Sequence, residues 1–332
     1  RKLRRAGLNP EHADIVADVL VFADARGIHS HGALRVEYYA ERIAKGGINT
    51  RPDFRCEHTG PASAIFHADN GPGQVAAKLA MDEAITIAES SGVGVVGVRK
   101  MAHSGALSYF TEQAAGAGMI GLAMCQSDPM VVPYGGAEPY FGTNPIAFAA
   151  PGTDGELLSL DMATTVQAWG KVLEAQSEDT DIPEGWAVDG RGKPTTDPDQ
   201  VKALLPMAGP KGYGLAMMVD VLSGILLGLP FGKDVSSMYT QMRHGRNLGQ
   251  LNLVIDPGVF TDAATFRSNI SRVRRELSNI APAPGVDRVL FPGEDKELIM
   301  ADYREHGIDL EDEIYEYLIS ADIHRDAYEK RD

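Results

Sequence analysis

Apolar residues recur every three or four positions along residues 9–25, and this period predicts an amphipathic helix. Asn9 can cap its first turn and Pro10 suits the first helical position, so we expect the helix to begin there. The same spacing predicts a helix over residues 34–45 that ends at a Gly-Gly pair. A longer helix is predicted over residues 73–91, with Gly92 as its C-terminal cap.

Short apolar runs typical of strands occupy residues 62–69, 93–98, 119–127, 157–163 and 251–260. The helical period returns over residues 104–117, 164–173 and 211–227, and this alternation indicates an α/β domain. Residues 46–61 are polar and predict a connector, and residues 176–206 predict a loop with a small hairpin at Asp189-Gly190. Charged helices are predicted over residues 265–280 and 296–328. We therefore expect a helical N-terminal part (1–61), a central α/β cofactor-binding domain (62–264) and a C-terminal helical part (265–332) that packs with the N-terminal part.

Composition and charge restrict the class of protein. The chain has 332 residues, 44% of them hydrophobic and 23% charged, as in soluble globular proteins. Its net charge of -15 repels nucleic-acid phosphates, so we expect no nucleic-acid partner. The most apolar stretch, residues 215–231, is interrupted by Asp220 and is shorter than the ~20 residues that span a membrane. We expect it to be a buried helix, without membrane association.

The two cysteines, Cys56 and Cys125, lie far apart in the sequence. A chain of this length needs no disulfide, so we expect free thiols and a cytoplasmic location. The basic, amphipathic start also lacks the apolar core of a signal peptide.

A G-x-G-x-x-G pattern at Gly92, Gly94 and Gly97 is typical of Rossmann dinucleotide sites only where the glycines follow a strand and open a helix. Here a helix is predicted to end at Gly92, and the other two glycines lie within a run of valines. The pattern therefore indicates a closely packed buried strand, and we do not expect a Rossmann fingerprint.

His103 follows that strand in a loop of small residues. Ligands of open α/β sheets bind at the ends of strands, so His103 could serve as a general base. The spacing alone allows a structural histidine equally well.

Ser30, His31 and Arg35 could form an anion grip, because Arg35 lies one helical turn after His31 and its guanidinium fork suits a carboxylate. A helix cap with a solvated arginine is the other interpretation. His29 and His31 could together ligate a metal, but no cluster of carboxylates or thiolates accompanies them and we expect none.

Two further segments allow two interpretations each, and a third allows only one. Asp161 ends a predicted strand and is either a helix-terminal charge or a ribose-binding acid. Lys211 opens a predicted helix and either faces a phosphate or lies at the surface. The turn at Gly293-Glu294-Asp295 indicates no more than a cap by itself.

Several stretches together resemble the type-2 malate/L-lactate dehydrogenase family along the whole chain, namely SHGALRVEYYAERIAKGG, the HSGA loop, PYGGAEPYFGTNPIAFAAP, LDMATTVQAWGKV, GPKGYGLAMMVDVLSGILLG and the late PGE turn. The resemblance implies an α/β, non-Rossmann nicotinamide-binding fold, with a central α/β domain and a helical domain built from both chain ends. It also implies a homodimer or higher homo-oligomer with the active site near the subunit interface.

Carried over by position, the resemblance implies that His103 is the catalytic histidine and that Ser30, His31 and Arg35 bind substrate. It implies cofactor contacts at Ser127, Asp161, Met162, Ala163, Lys211, Gly293, Glu294 and Asp295, and no metal. One departure bears on Lys211: the chain has Met207-Ala208-Gly209-Pro210 where many members have an apolar-Gly-Gly run.

The implied activity is hydride transfer from a small 2-hydroxy acid to NAD, with NADP left open. A closer resemblance within the family, carried by stretches such as MCQSDPMVVPYGGAE and GLPFGKDVSSMY, implies that the reaction is oxidation of (S)-ureidoglycolate to oxalurate in ureide catabolism. Malate, lactate or sulfolactate oxidation, or reduction of a 2-oxo acid or imine, are the alternatives within the family. A metal-dependent ureido hydrolase that uses His29, His31 and His103 is the alternative from another class.

Overall fold

The computed structural model describes residues 1–328, and a mixed β-sheet flanked by helices forms its centre. The strands are β1 (Arg55–Gly60), β2 (Ser63–His67), β3 (Val93–Met101), β4 (Ile120–Cys125), β5 (Ile146–Pro151), β6 (Leu157–Met162), β7 (Ala187–Val188), β8 (Pro194–Thr195), β9 (Ala203–Leu204) and β10 (Leu248–Ile255). The helices are α1 (Lys2–Ala6), α2 (Pro10–Asp24), α3 (Arg35–Ala44), α4 (Gly73–Ser91), α5 (Ser108–Gly116), α6 (Trp169–Glu178), α7 (Pro210–Ser223), α8 (Ala263–Ser278), α9 (Glu294–His306) and α10 (Asp312–Ile319).

The large sheet has the strand order β1-β2-β3-β10-β4-β5-β6, and a small sheet has the order β8-β7-β9. In the large sheet, β2 and β3 run parallel and are joined by α4, whereas the other neighbouring pairs are antiparallel. Alternate residues of β3, such as Val96 and Val98, are buried. Gly94 leaves space for the backbone of α4, because a Cβ there would collide with the carbonyl oxygen of Ala84. The G-x-G-x-x-G pattern thus serves packing, as predicted.

Helices cover both faces of the sheet. Asn252 of β10 donates to the carbonyl oxygen of Ala77 in α4 on one face, at 3.4 Å. On the other face Leu251 packs with Val219 of α7 and with Met124 of β4. The central strands are therefore buried on both sides, whereas the edge strand β1 is largely exposed, and His103 leaves the sheet at the end of β3.

Helices from the two ends of the chain lie against each other. Lys2 of α1 donates to the carbonyl oxygen of Ser320, just after α10, at 3.0 Å. Glu37 of α3 accepts the backbone N–H of Arg325 at 2.9 Å. A buried apolar cluster joins α1, α2 and α3 through Leu3, Leu8, Val16, Leu20, Tyr38 and Ile43. The boundaries of the three expected parts remain predictions.

Most predicted elements are confirmed within a few residues, including the Asn9 cap, which accepts the backbone N–H of His12 at 2.7 Å. The predicted connector is wrong where β1 occupies residues 55–60. The helix predicted over residues 104–117 begins only at Ser108, because Gly105 has a left-handed φ of 87°. The helix predicted from residue 164 begins at Trp169, since the backbone N–H and hydroxyl of Thr164 both donate to Thr143.

Other differences concern the second half of the chain. Helix α7 ends at Ser223, and it is not wholly buried, because Met217, Met218 and Val221 are exposed. The predicted helix over residues 296–328 is divided into α9 and α10, and residues 320–328 lie outside both helices. Strand β5, which the sequence did not predict, lies between β4 and β6.

Both cysteines are free thiols, as predicted; Cys56 is exposed and Cys125 is buried. In residues 1–328 we find no helix with the length and apolar character needed to cross a bilayer.

Candidate active site

His103 lies in the loop between β3 and α5, and contacts further along this loop hold it in place. The hydroxyl of Ser104 donates to Oε1 of Gln250, in the central strand β10, at 3.0 Å. At the far end of the loop, the backbone N–H of Ser108 donates to the carboxylate of Asp161 at 2.8 Å. The imidazole is therefore carried by backbone that is tied to the sheet on both sides.

The hydroxyl of Tyr39, in α3, lies 2.7 Å from Nδ1 of His103. Tyr39 is buried, and burial raises the pKa of its phenol, so the hydroxyl stays protonated. In the described part of the chain, Nε2 of His103 makes no hydrogen bond. A neutral imidazole that donates from Nδ1 to the Tyr39 oxygen keeps Nε2 as an acceptor.

The predicted trio of Ser30, His31 and Arg35 lies beside this histidine. The rings of His31 and His103 stack with their centroids 5.5 Å apart. Oγ of Ser30 is 2.9 Å from Nδ1 of His31, and Nε of Arg35 donates to the Ser30 carbonyl oxygen at 2.7 Å. The structure thus brings all four predicted catalytic and substrate-side residues together.

Asp24, which the sequence did not single out, holds the turn that carries this trio. Its Oδ2 accepts the backbone N–H of Ala33 at 2.7 Å, and its Oδ1 lies 3.0 Å from Nδ1 of His29. A Cβ added at Gly32 would collide with the same carboxylate. The other ring nitrogen of His29 is 3.2 Å from the Tyr303 hydroxyl, so both of its nitrogens have partners. The predicted metal-hydrolase alternative, which needs His29 as a ligand, is therefore not supported.

Electrostatics divide the site into neutral bases and a permanent cation. Burial lowers the pKa of His103 well below its usual 6.5, and the charges of His31, Arg35 and Arg246 lower it further. Burial and then Arg35 lower the pKa of His31 to about 4. Burial opposes the charge of Arg35, but neighbouring phenols, Tyr239 first, raise its pKa. At neutral pH the imidazoles are uncharged and the guanidinium is charged.

Arg246 is a second cation that the sequence did not predict. It is buried, and its Nη2 donates to Asp128 Oδ1 at 2.5 Å and to the Ser236 carbonyl oxygen at 2.6 Å. Asp128 directly follows Ser127, so this ion pair joins two loops near His103. Arg246 stands alone in the stretch HGRNLGQL, without other polar residues at a spacing that would indicate a site. Only its burial in the folded protein marks it as a site residue.

A cavity of about 1020 Å³ lies beside β6 and the start of α9. Three residues of the predicted cofactor set, Asp161, Gly293 and Asp295, line it. The Asp161 carboxylate faces the cavity and is surrounded by protein on its other sides. This burial raises its pKa, and the hydrogen bond from the N–H of Ser108 lowers the pKa by a smaller amount. Asp161 therefore both binds the α5 N-terminus and faces a ligand-sized space.

The PGE turn packs tightly against β6. Gly293 has a left-handed φ of 92°, and a Cβ there would lie 2.6 Å from the Ser159 carbonyl oxygen. The carboxylate of Glu294 is buried; it accepts the hydroxyl of Ser278 and the backbone N–H of Phe291, each at 3.2 Å, and pairs with Arg288. Because its side chain is engaged within the protein, only the backbone of Glu294 is available to a cofactor.

Hydrogen bonds connect Ser127 to the end of β6. Oγ of Ser127 lies 3.0 Å from Oγ1 of Thr143, whose carbonyl oxygen accepts the N–H of Thr164 at 2.8 Å. Met162 and Ala163 immediately precede Thr164, so the predicted residues Ser127, Met162 and Ala163 share one region.

Lys211 is exposed in the first turn of α7. The N–H of Met207 donates to the carbonyl oxygen of Thr164 at 3.0 Å. The N–H of Gly212 in turn donates to the carbonyl oxygen of Met207 at 3.0 Å. These bonds place the start of α7 next to the Ser127 region. The departure before Lys211 has a structural consequence, because Ala208 adopts a left-handed φ of 48°.

The chain is similar to several known proteins. Residues 1–319 match the family model described as malate/L-lactate dehydrogenase. The chain is 62% identical over 330 residues to ureidoglycolate dehydrogenase (NAD(+)) of Escherichia coli O157:H7, covering 99% of this chain and 95% of that protein.

Two solved structures are similar along nearly the whole chain. Sulfolactate dehydrogenase from Methanocaldococcus jannaschii has a TM-score of 0.89 at 39% identity, with 96% of this chain and 91% of that chain covered. Malate dehydrogenase from Pyrococcus horikoshii OT3 has a TM-score of 0.87 at 38% identity, with 96% and 90% covered.

Proposed function

The chain belongs to the malate/L-lactate dehydrogenase family, and on this premise we propose that it oxidises (S)-ureidoglycolate to oxalurate with NAD. The observation that supports this substrate and cofactor is the 62% identity, over almost the full chain, to ureidoglycolate dehydrogenase (NAD(+)). Relatives named for malate or L-sulfolactate are only 40% and 39% identical. The reaction would serve nitrogen recovery from allantoin, a product of purine breakdown.

His103 is the proposed general base. Its Nε2 accepts the proton of the substrate hydroxyl while Nδ1–H donates to Tyr39, so the ring keeps one orientation throughout. The low pKa of His103 ensures that the base is unprotonated at neutral pH. General-base catalysis of this kind contributes roughly 10²–10⁴-fold.

Arg35 is the proposed carboxylate clamp. Its Nε donates to the Ser30 carbonyl oxygen and its guanidinium also hydrogen-bonds with the Tyr239 side chain, so the group is held in place beside Ser30. A guanidinium held in this way binds a carboxylate through two parallel hydrogen bonds. Arg246 also lies near His103, but its charge is paired with Asp128, so Arg35 is the cation that favours an anionic substrate.

The residues around β6 fit a dinucleotide. The cavity of about 1020 Å³ is large enough for one, since ligand pockets typically measure ~300–1000 Å³. Asp161, Gly293 and Asp295 would hold the cofactor there, with Ser127, Met162, Ala163 and Lys211 nearby. Bound NAD supplies the hydride acceptor. The tight approach of Gly293 to β6 shapes one wall of this space.

We propose a homodimer as the working form. Helix α7 and the following turn carry exposed apolar residues, from which we infer one apolar surface made by Met217, Met218, Val221, Ile225 and Leu226. Contiguous apolar surfaces of this kind mark interaction sites. Light scattering should give twice the chain mass, and Val221→Glu with Leu226→Glu should give the single-chain mass. We also propose a cytoplasmic location, consistent with two free thiols.

A steady-state assay tests the proposed activity. The purified protein is mixed with (S)-ureidoglycolate, malate, lactate or sulfolactate, and with NAD or NADP, while the reduced nicotinamide is followed by absorbance. We expect the highest kcat/KM for ureidoglycolate with NAD. His103→Ala should lose about 10²–10⁴-fold in kcat but still bind NAD. Inert ureidoglycolate, with fast turnover of another acid, would overturn the substrate assignment.

A further inference from the structure

Cys56, His58 and Glu83 form a cluster of metal-ligating side chains away from His103. Cys56 and His58 are two residues apart on β1, so their side chains share one face of the strand. They pair with Phe66 and Ala64 of β2, both of which are buried on the face that α4 covers. Glu83 approaches the same face from α4.

The three side chains are close enough to share one ion. Nε2 of His58 lies 2.9 Å from Oε1 of Glu83. One ligand atom from each residue, namely Sγ of Cys56, a ring nitrogen of His58 and a carboxylate oxygen of Glu83, lies within 4.8 Å of the other two. Cys56 and His58 are exposed and Glu83 is half-buried, so an ion and a water molecule can reach the cluster from solvent.

The donor set is selective in its chemistry. A thiolate, an imidazole and a carboxylate are the three ligand types that Zn²⁺ takes in proteins, and water commonly fills a fourth, tetrahedral position. The set is unsuited to Mg²⁺ or Ca²⁺, which prefer oxygen ligands.

An activated cysteine is the competing interpretation of the same geometry. Reactive cysteines have depressed pKa values and electropositive surroundings. Cys56 instead lies beside the carboxylate of Glu83. A carboxylate beside the thiol opposes a free thiolate but attracts a cation, so the arrangement favours a metal over nucleophilic chemistry.

We propose that Cys56, His58 and Glu83 bind one Zn²⁺ ion, which links the edge strand β1 to α4. On binding, the ion displaces the thiol proton to solvent and forms bonds to sulfur, nitrogen and oxygen, with no change of oxidation state. The sequence alone did not predict this site, because Glu83 joins the two β1 residues only through the packing of α4.

The site is separate from the active site. Glu83 is ten residues along α4 from Gly73, which contacts the His103 loop, and ten helical residues span about 15 Å. The proposal is therefore independent of the proposed dehydrogenase activity, and substitutions at Cys56 should leave kcat and KM unchanged.

Cobalt titration of the full chain, stripped with a chelator, tests the proposal. We expect one Co²⁺ per chain, with a thiolate-to-cobalt charge-transfer band that Zn²⁺ abolishes by competition. Cys56→Ser should lose the band, whereas Cys125→Ala, which removes the buried thiol, should retain it. His58→Ala and Glu83→Gln should each weaken binding at least about tenfold, since even outer-shell partners of metal ligands contribute 10–100-fold.

Two results would overturn the proposal. One is a band that is absent in the parent protein or persists in Cys56→Ser. The other is unchanged affinity in both His58→Ala and Glu83→Gln, which would mean that a lone thiolate binds cobalt. As a second readout, Zn²⁺ should raise the thermal midpoint of the parent protein but not that of Cys56→Ser, and circular dichroism should verify that each variant is folded.

Discussion

The hydroxyl of Tyr39 and Nδ1 of His103 lie 2.7 Å apart, although 64 residues separate them in the sequence. Tyr39 belongs to α3, near the chain start, and His103 to the loop that follows β3 of the central sheet. Their contact joins the two parts of the molecule at the proposed base. It also selects which ring nitrogen is left to react.

Tyr39→Phe should therefore lower kcat/KM roughly fivefold to tenfold. The substitution removes one hydrogen bond, worth about 1 kcal/mol, and leaves the ring free to change its tautomer. Steady-state kinetics across pH measure the effect. Tyr109→Phe is the matched control, because the Tyr109 hydroxyl donates to Asp18 and not to His103. Equal losses in both variants would contradict the role of Tyr39.

The acidic limb of the kcat/KM profile should lie below pH 6.5. His103 acts as a base only when it is unprotonated, and its lowered pKa preserves that form at lower pH. Because the charge of Arg35 contributes to this lowering, Arg35→Gln should move the limb to higher pH and raise KM about tenfold or more. Arg51→Gln, at an exposed arginine, is the control. If the acidic limb of the profile does not move in Arg35→Gln, the charge of Arg35 does not lower the pKa of His103.

His31 should make the fold less stable in acid. Its pKa is about 4 in the folded protein and 6.5 without the surrounding structure, so unfolding takes up a proton between these values. Its contribution is fully present above pH 6.5 and is lost as the pH falls toward 4. Urea unfolding at pH 7 and pH 5 should show a smaller difference in His31→Gln than in the parent protein. A difference in His31→Gln equal to that in the parent protein would contradict this contribution.

Gly32→Ala should impair catalysis more than folding. A Cβ there collides with Asp24, which holds the turn that carries Ser30 and His31. A displacement of about 1 Å in a catalytic group can cost ~100-fold, so we expect kcat/KM to fall between 10-fold and 100-fold. Gly116→Ala, where a Cβ has open space, should retain full activity. An unchanged kcat/KM in Gly32→Ala would contradict the prediction, because it would mean that the turn accommodates the Cβ without moving Ser30 and His31.

Ala208→Gly should stabilise the protein by about 0.5–1 kcal/mol. A left-handed alanine costs about 1–2 kcal/mol, and the added freedom of glycine in the unfolded chain offsets part of that gain. Chemical unfolding at neutral pH measures the difference. Ala117→Gly, at an alanine with a negative φ of -83°, is the matched control and should destabilise the protein. Equal effects at both positions would exclude relief of strain.

The sequence by itself determined the local elements and the chemistry that they carry. The 3.6-residue period, the Asn9 cap and the Gly92 stop defined α2, α3 and α4, because these signals arise from neighbouring residues. The resemblance of the motifs pointed to His103 and to the Ser30, His31 and Arg35 group, which the structure then places side by side.

The tertiary structure alone decided which distant groups meet. Tyr39 and Arg246 have no spacing signal, and each acquires its place through contacts made across the fold. The contact of Asp24 with the N–H of Ala33 is local, but only the folded turn reveals it. The same is true of β1, whose polar sequence becomes a strand because β2 offers it a hydrogen-bonding edge. Burial and nearby charge, which set the pKa values of the site, exist only after the chain has packed.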